Sequence, residues 1–195
     1  MKNIIAVEGI VGSGKSTLIA EITKRGYQVI PELSTEIHKQ FPPFSIKTDE
    51  AITINKWFFQ QEVRRCAEAM RLAQDSPVIA DRWYHSIFAV SYARNILFGT
   101  KDTDSLASEL KRLKEQGLIF TPNLIIIDVP LNLALERLER RYGSAGLMER
   151  LKITSPHLLE KEQEYYRRLT EPIQIMVDGR LNAKGLADKV IQYFK

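Results

Sequence analysis

The residues best suited to chemistry form a glycine-rich segment near the start of the chain. Residues 9–16 read GIVGSGKS and match G-x-x-x-x-G-K-[ST] at every specified position, after an apolar run and before a helical stretch. In this arrangement backbone N–H groups and a helix N-terminus converge on bound phosphates. Lys15 would contact the β- and γ-phosphates, and the Ser16 hydroxyl would bind Mg²⁺. We therefore expect ATP and Mg²⁺ as cofactors, held by Gly9, Gly12, Ser13, Gly14, Lys15, Ser16 and Thr17.

Carboxylates at the ends of apolar runs form a second candidate group. Glu8, Glu32, Asp81 and Asp128 each fall at or near the end of a run of strand length. Ligands of doubly wound sheets bind beyond the carboxyl ends of the strands, so acids gathered there would suit a Mg²⁺-phosphate site. We predict that Asp81 binds Mg²⁺, directly or through water, and that Arg82 holds the acceptor or the transferred phosphoryl group. The alternative is an ion pair at the end of the strand.

Arginines on a later helix suggest a closing element. Arg137, Arg140 and Arg141 occupy neighbouring positions opposite an apolar face, and the small residues GSAG follow at 143–146. This pattern favours a hinge or lid over about residues 141–153. Arg137 and Arg141 are our catalytic candidates, because an arginine that closes over the phosphates neutralises charge in the transition state. The alternative is a solvated cationic face paired with glutamates of the same helix.

Polar and aromatic residues on the longest predicted helix suggest an acceptor pocket. Trp57, Gln60, Gln61 and Arg64 lie at i, i+3, i+4 and i+7, so they share one helix face. An aromatic surface beside an amide and a cation would suit a nucleobase. Ordinary surface polarity beside a half-buried aromatic side chain is the alternative.

The elements that must position these residues alternate between strand-length apolar runs and longer stretches of helical period. That alternation is typical of βα units around a parallel sheet. The apolar runs lack polar alternation, as expected when helices cover both faces of the sheet. We predict strands at about residues 3–8, 27–31, 77–80, 123–128 and 173–177.

The helix that carries Arg137, Arg140 and Arg141 is predicted to begin just after Pro130. Two further helices are predicted from apolar periodicity. One spans about residues 49–74 and the other about residues 183–194. Within the first, Cys66 is expected to be a buried apolar thiol. The stripe expected to face the core consists of Phe59, Val63, Cys66, Met70 and Ala73.

Composition limits the remaining classes. The chain has 195 residues and 44% hydrophobic residues, which favours a single domain over residues 1–195. Its single cysteine cannot form an internal disulfide, and we see no signal peptide or membrane span, so we expect a cytoplasmic protein without a membrane partner. A net charge of +4 is compatible with phosphate binding, but no aromatic-basic motif predicts a nucleic-acid partner.

Several classes of protein contain this phosphate-binding pattern. A guanine-nucleotide switch would carry N-K-x-D and D-x-x-G, whereas residues 55–58 read NKWF and the second pattern is missing from the sequence. A small kinase fits better. The alternatives are a non-catalytic nucleotide sensor and a kinase for another small metabolite.

Motifs spread over most of the chain make this reading more specific. They are VEGIVGSGKST at 7–17, DRWYHS at 81–86, Asp128-Val129, ALERL at 134–138 and DGR at 178–180. Together they resemble the thymidylate kinase and deoxynucleoside kinase group of P-loop kinases. The resemblance implies an α/β three-layer sandwich with a five-stranded parallel sheet, an arginine-bearing lid, commonly a homodimer, and a nucleoside or nucleoside monophosphate as the small-molecule acceptor.

The acceptor type stays open, because one segment resembles deoxynucleoside kinases and another resembles thymidylate kinases. Residues 30–33 read IPEL, which resembles the Glu-Pro block of deoxynucleoside kinases and makes Glu32 a candidate general base for a 5′-hydroxyl. The DRW segment at 81–83 instead resembles thymidylate kinases, and Arg64 or Arg65 could hold an acceptor phosphate. We favour a nucleoside slightly over a monophosphate such as dTMP.

Overall fold

The computed structural model describes residues 3–33, 47–153, 155–170 and 174–194, with side chains except at 145–153, 174 and 194. Five parallel strands form one sheet in the order β2-β3-β1-β4-β5. The strands are β1 Ile4–Glu8, β2 Gln28–Ile30, β3 Val78–Asp81, β4 Asn123–Asp128 and β5 Gln174–Asp178. The predicted α/β fold with a five-stranded parallel sheet is confirmed, and each strand overlaps its predicted position.

Seven helices pack around this sheet within the described part of the chain. They are α1 Lys15–Lys24, α2 Thr48–Leu72, α3 His85–Phe98, α4 Thr103–Glu115, α5 Leu131–Ile153, α6 Pro156–Arg168 and α7 Ala183–Ile191, which continues into a 3₁₀ turn at Gln192–Phe194. Helices α3, α4 and α6 are additional to those expected from the sequence. None of the helices that the structure describes has the length and apolar character needed to span a membrane.

The apolar runs lack polar alternation because both faces of the sheet are covered. Along β1, Ile4 and Ala6 join the core under α2, α3 and α4, whereas Ile5 and Val7 join the core under α1 and α7. All four side chains are buried. Since consecutive strand residues point to opposite faces, the sequence alternates between two apolar cores rather than between core and solvent.

The core face of α2 differs from the predicted stripe. Phe59 and Cys66 are buried as expected, but Met70 is 51% exposed, so its placement in the core was wrong. The buried face follows the row Asn55, Glu62 and Ala69, and Met70 lies at its border. Val63 and Ala73 are partly buried and pack against the same core as Phe59 and Cys66, so four of the five predicted residues lie on the core side. Met70 is the error, and the buried face also includes polar residues that the apolar stripe did not mark.

Helix α5 is bent at the position predicted for a hinge. Gly143 has φ 68° and ψ 168°, which are not helical values, although the helix continues on both sides. A side chain would meet no obstacle there, but the left-handed φ favours glycine. The lid over about 141–153 stays a prediction, since the side chains of its residues 145–153 lie outside the described part.

The exposure difference on α2 predicts different losses of stability. Phe59→Ala removes a fully buried ring and should lower the free energy of unfolding by about 3–5 kcal/mol. Met70→Ala should change it by about 0.5 kcal/mol or less, because a half-exposed side chain leaves little cavity. Chemical denaturation of the two variants measures both values. Equal losses would contradict the assigned helix face.

Candidate active site

The glycine-rich loop joins β1 to α1 and lies tightly against β4 and α5. Gly12 has φ 81°, and a Cβ added there would come within 2.5 Å of the Ala134 carbonyl oxygen. A Cβ on Gly9 would lie 2.7 Å from the Ile127 carbonyl oxygen. Any larger residue at either position would therefore displace the loop. The glycines are required by the close approach of neighbouring backbone.

The first turn of α1 presents unused donors to the loop. In the described structure no side chain caps this helix, and its first turn holds no acidic residue. Its first N–H groups therefore lack intrahelical partners and carry the positive end of the helix dipole. Ser16 and Thr17 are exposed in the same turn. This arrangement can bind phosphate oxygens.

Lys15 lies inside the loop rather than at its surface. Its side chain is buried, and Nζ donates hydrogen bonds to the carbonyl oxygens of Gly9 at 2.6 Å and Ile10 at 2.8 Å. Burial, together with repulsion from Arg82, lowers the pKa of Lys15 to about 7, although nearby carboxylates oppose the shift. A polyphosphate would supply the negative charge that favours the protonated ammonium.

Arg82 and Glu32 meet beside the loop. Arg82 Nε lies 2.6 Å from Glu32 Oε1, and Arg82 Nη1 donates to Ser86 Oγ at 3.0 Å. The arginine is largely buried, whereas the Glu32 side chain is 51% exposed. The structure thus brings together two predicted catalytic residues, one held in the protein and one accessible to a substrate.

Glu8 joins β1 to the segment after β3. Its Oε1 accepts a hydrogen bond from the Trp83 N–H at 2.8 Å, and its Oε2 accepts from Ser86 Oγ at 2.6 Å and from the Tyr166 hydroxyl at 3.0 Å. Complete burial raises its pKa, and Arg82 opposes that shift. Both oxygens are used by the protein, so Glu8 acts as an internal brace.

Asp81 has the free capacity that a Mg²⁺ ligand requires. Among the described residues its Oδ1 finds no hydrogen-bond partner although the atom is buried. Burial and the charge of Glu32 raise its pKa, whereas Lys15 lowers it. Hard carboxylate oxygens suit Mg²⁺, which commonly binds one or two carboxylates together with phosphates. The unpartnered oxygen of Asp81 and the exposed hydroxyl of Ser16 therefore fit the predicted metal role.

Asp128, the fourth predicted acid, has partners on α6. It accepts hydrogen bonds from Gln163 Nε2 at 2.5 Å and pairs with Arg167 at 3.0 Å. These contacts fasten α6 to the end of β4. The four acids thus divide into three whose charges act on Lys15 and one that holds a helix.

The arginines of α5 have different surroundings. Arg137 donates from Nη1 to the Ser13 carbonyl at 3.1 Å and from Nη2 to the Gly179 carbonyl at 2.8 Å. It therefore connects the phosphate loop to the turn after β5. Arg140 and Arg141 are exposed, and Arg141 lies 6.0 Å from the ring of Tyr142. Of the α5 arginines whose side chains the structure describes, Arg137 is the one that touches the loop.

The predicted acceptor residues lie along α2. Trp57 is half-buried and packs edge-on against Phe58, with ring centroids 5.1 Å apart. Gln60 and Arg64 are exposed, and Arg64 Nη1 donates to Gln61 Oε1 at 3.4 Å. The set shares a face as expected.

Several residues of the site were missed by sequence reasoning. Glu62 and Glu162 are buried carboxylates whose pKa values burial raises to about 7, and Arg82 lies electrostatically close to Glu162. Tyr166 and Glu162 belong to α6, which was not predicted. Glu62 had a signal, because it falls among apolar residues of α2, whereas Arg65 was considered only as a possible ligand of an acceptor phosphate.

Fold and site together define a P-loop phosphotransferase. The deoxynucleoside kinase family model matches residues 5–177, and the chain belongs to this family. The protein is therefore a nucleoside kinase, the first of the two kinase types that the resemblance left open.

Solved structures share the fold. The chain aligns with deoxyadenosine kinase from M. mycoides with bound dATP at a TM-score of 0.64 and 21% identity, over 97% of each chain. The same protein with bound dCTP gives 0.59 at 20% identity, and with the products dCMP and a flexible dCDP gives 0.61 at 20% identity, again over 97% of each chain. A search of curated protein sequences finds no match.

The buried ammonium predicts proton uptake on nucleotide binding. Since the pKa of Lys15 is about 7 in the free protein and polyphosphate favours the charged form, binding at pH 8 should take up a proton. Affinity should be constant below pH 7 and fall by about tenfold per pH unit above it. Calorimetry with a non-hydrolysable Mg²⁺-ATP analogue, in buffers of different ionisation enthalpy, measures the uptake.

Two variants control this experiment. Lys15→Ala should abolish the uptake and weaken binding, whereas Lys24→Ala, an exposed lysine of the same helix, should change neither. Binding by the unaltered protein at pH 8 without proton uptake would contradict the assignment.

Proposed function

We propose that the protein transfers the γ-phosphoryl group of ATP, with Mg²⁺, to the 5′-hydroxyl of a deoxynucleoside. The observation that carries this proposal is the Glu32 carboxylate, held at 2.6 Å by Arg82 Nε and half-exposed beside the phosphate loop. A hydroxyl has a pKa far above neutral, so its attack benefits from a carboxylate that removes the proton. The exposure of Glu32 and its ion pair with Arg82 support that role.

The other residues have roles that follow from charge and position. The N–H groups of the loop and of α1, with Lys15, bind the phosphates, and Arg137 supports the loop from behind through Ser13. Arg82, fixed between Glu32 and Ser86, supplies positive charge where the phosphoryl group is transferred. Mg²⁺, held by Asp81 and Ser16, would neutralise phosphate charge.

The surroundings of Arg65 favour a nucleoside over a monophosphate. An acceptor that already carries phosphate requires arginines with free donors, and Arg65 was one candidate. Its Nη1 instead donates to Glu62, and its Nη2 donates to the Asp81 and Arg82 carbonyls. A monophosphate acceptor, the thymidylate kinase-like alternative, is the second candidate because Arg64 is exposed on the same helix.

The base of the acceptor is proposed to bind along α2. Trp57 offers an aromatic surface, and Gln60 and Gln61 offer amides that can pair with the edge of a base. A homodimer is also proposed, and the exposed apolar side chains Ile96 and Phe98 at the end of α3 support it.

An acceptor panel tests the proposed function. ADP formation from ATP and Mg²⁺ should depend on one or more of the four deoxynucleosides and should be much slower with their monophosphates. Turnover with monophosphates alone would favour the second candidate. ATP binding without turnover on any acceptor would contradict both.

Replacing Glu32 tests its role as the base. Glu32→Gln keeps the size but cannot accept the proton, and kcat with the best nucleoside should fall by about 10²–10⁴-fold. Glu21→Gln is the matched control, because Glu21 also pairs with an arginine, Arg25, at 3.0 Å, but at the C-terminal end of α1, where Arg25 also contacts Asp188 of α7. Steady-state kinetics should show normal kcat for the control. Near-normal turnover of Glu32→Gln would contradict the role of Glu32 as the general base.

A further inference from the structure

The backbone at Arg82 has a conformation that its side chain disfavours. Among the residues that the structure describes, Arg82 is the one non-glycine residue with a positive φ, at 63°. A residue with a Cβ rarely adopts this region, and such strain persists only where the surroundings fix it. It occurs here at the residue that pairs with Glu32.

Four hydrogen bonds fix this turn from two sides. From β1, the Val7 carbonyl accepts from Arg82 N at 3.0 Å, and Glu8 Oε1 accepts from Trp83 N at 2.8 Å. From α2, Arg65 Nη2 donates to the Asp81 carbonyl at 2.8 Å and to the Arg82 carbonyl at 2.9 Å. The Arg65 side chain thus binds two successive carbonyl groups of the strained turn.

Arg65 is itself held in place. Its Nη1 donates to Glu62 Oε1 at 2.6 Å, and its guanidinium lies 5.3 Å from the centre of the Trp83 ring. Both members of the Glu62–Arg65 pair are buried. Burying an ion pair is costly, and apolar residues of similar size often give equal or greater stability. The pair therefore needs a reason other than stability.

We propose that Arg65, held by Glu62, is a positioning residue for phosphoryl transfer. It keeps the Arg82 backbone in the left-handed conformation that directs the Arg82 guanidinium between Glu32 and Ser86. The inference rests on the proposed function in one respect, since it takes Arg82 as the cation at the transferred phosphoryl group. Arg65 itself touches no substrate in this account.

The position of Arg65 also connects the acceptor to the turn. Helix α2 carries Trp57, Gln61 and Arg64 on its outer side and Arg65 on its buried side. A nucleoside that binds along α2 therefore contacts the same rigid element that sets the Arg82 backbone. Acceptor binding and the alignment of Arg82 should depend on each other.

Conservative variants test the proposal against a matched pair on the same helix. Arg65→Lys keeps the charge but cannot span both carbonyls and Glu62 together. Its kcat should fall by about 10–100-fold, as expected when a catalytic group is displaced by about 1 Å, while KM for ATP changes by about twofold or less. Arg71→Lys alters an exposed pair with the same i,i+3 spacing, with Glu68, and should leave both constants unchanged.

A second variant guards against loss of folding. Glu62→Gln removes one charge of the pair but retains the size of the side chain. It should also lower kcat, by a smaller factor than Arg65→Lys. Glu68→Gln is its control. All rates are expressed per folded enzyme, measured by active-site titration.

A spectroscopic readout reports on Arg82 without turnover. The ¹⁵Nε–¹Hε signal of Arg82, assigned by its loss in Arg82→Lys, should shift or broaden in Arg65→Lys and in Glu62→Gln, but not in the two surface controls. An unmoved signal with unchanged kcat per folded enzyme in both buried variants would overturn the proposal. Because this signal needs no acceptor, it separates failure of the positioning role from failure of the proposed function, which would show as a wild-type protein inactive on every nucleoside.

Discussion

The buried ammonium of Lys15 is the interaction on which the rest of the site depends. Its Nζ donates hydrogen bonds to the carbonyl oxygens of Gly9 and Ile10. The surrounding loop contains glycines that allow neighbouring backbone to approach closely. A buried cation is unfavourable without an opposite charge, and burial lowers the pKa of Lys15 to about 7. A bound polyphosphate would neutralise this charge. It would also accept hydrogen bonds from the N–H groups at the N-terminus of α1, which begins at Lys15.

The groups around Lys15 form a balanced set of charges rather than separate catalytic parts. Glu8 uses both oxygens to brace β1 against the turn after β3, whereas Asp81 keeps an unpartnered oxygen and Glu32 is half-exposed, as the proposed roles in metal and acceptor binding require. Arg82 pairs with Glu32, and its strained backbone is held from β1 and from α2. Phosphoryl transfer depends mainly on alignment and charge neutralisation, so a site built from fixed charges suits that reaction.

Local patterns predicted the sheet and the phosphate loop well because each has a short-range physical cause. The strands are apolar on both faces, and the glycines of the loop are required by backbone contacts. Helix α4 had a usable signal in the spacing of Leu106, Leu110 and Leu113, whereas α6 buries the polar residues Glu162 and Gln163 and so lacks a clear apolar stripe.

The long-range hydrogen bonds that hold the site together could not be predicted from local sequence patterns. Glu8 meets Tyr166 across 158 positions of sequence, and Arg65 meets the Arg82 carbonyl across 17, so only the folded topology brings them together. Sequence reasoning also missed that Glu62 and Arg65 are buried on α2, and it placed the half-exposed Met70 in the core, although Phe59, Val63, Cys66 and Ala73 do contact the core. Buried polar residues such as Glu62 and Arg65 carry no apolar periodicity, so the sequence pattern does not mark them as core.

The most direct test of the account is a crystal structure with Mg²⁺ and a non-hydrolysable ATP analogue. The account predicts that Lys15 Nζ leaves the Gly9 and Ile10 carbonyls and lies within hydrogen-bond distance of β- and γ-phosphate oxygens, with Ser16 Oγ on the metal. Nucleotide bound elsewhere, with Lys15 still on those two carbonyls, would contradict it.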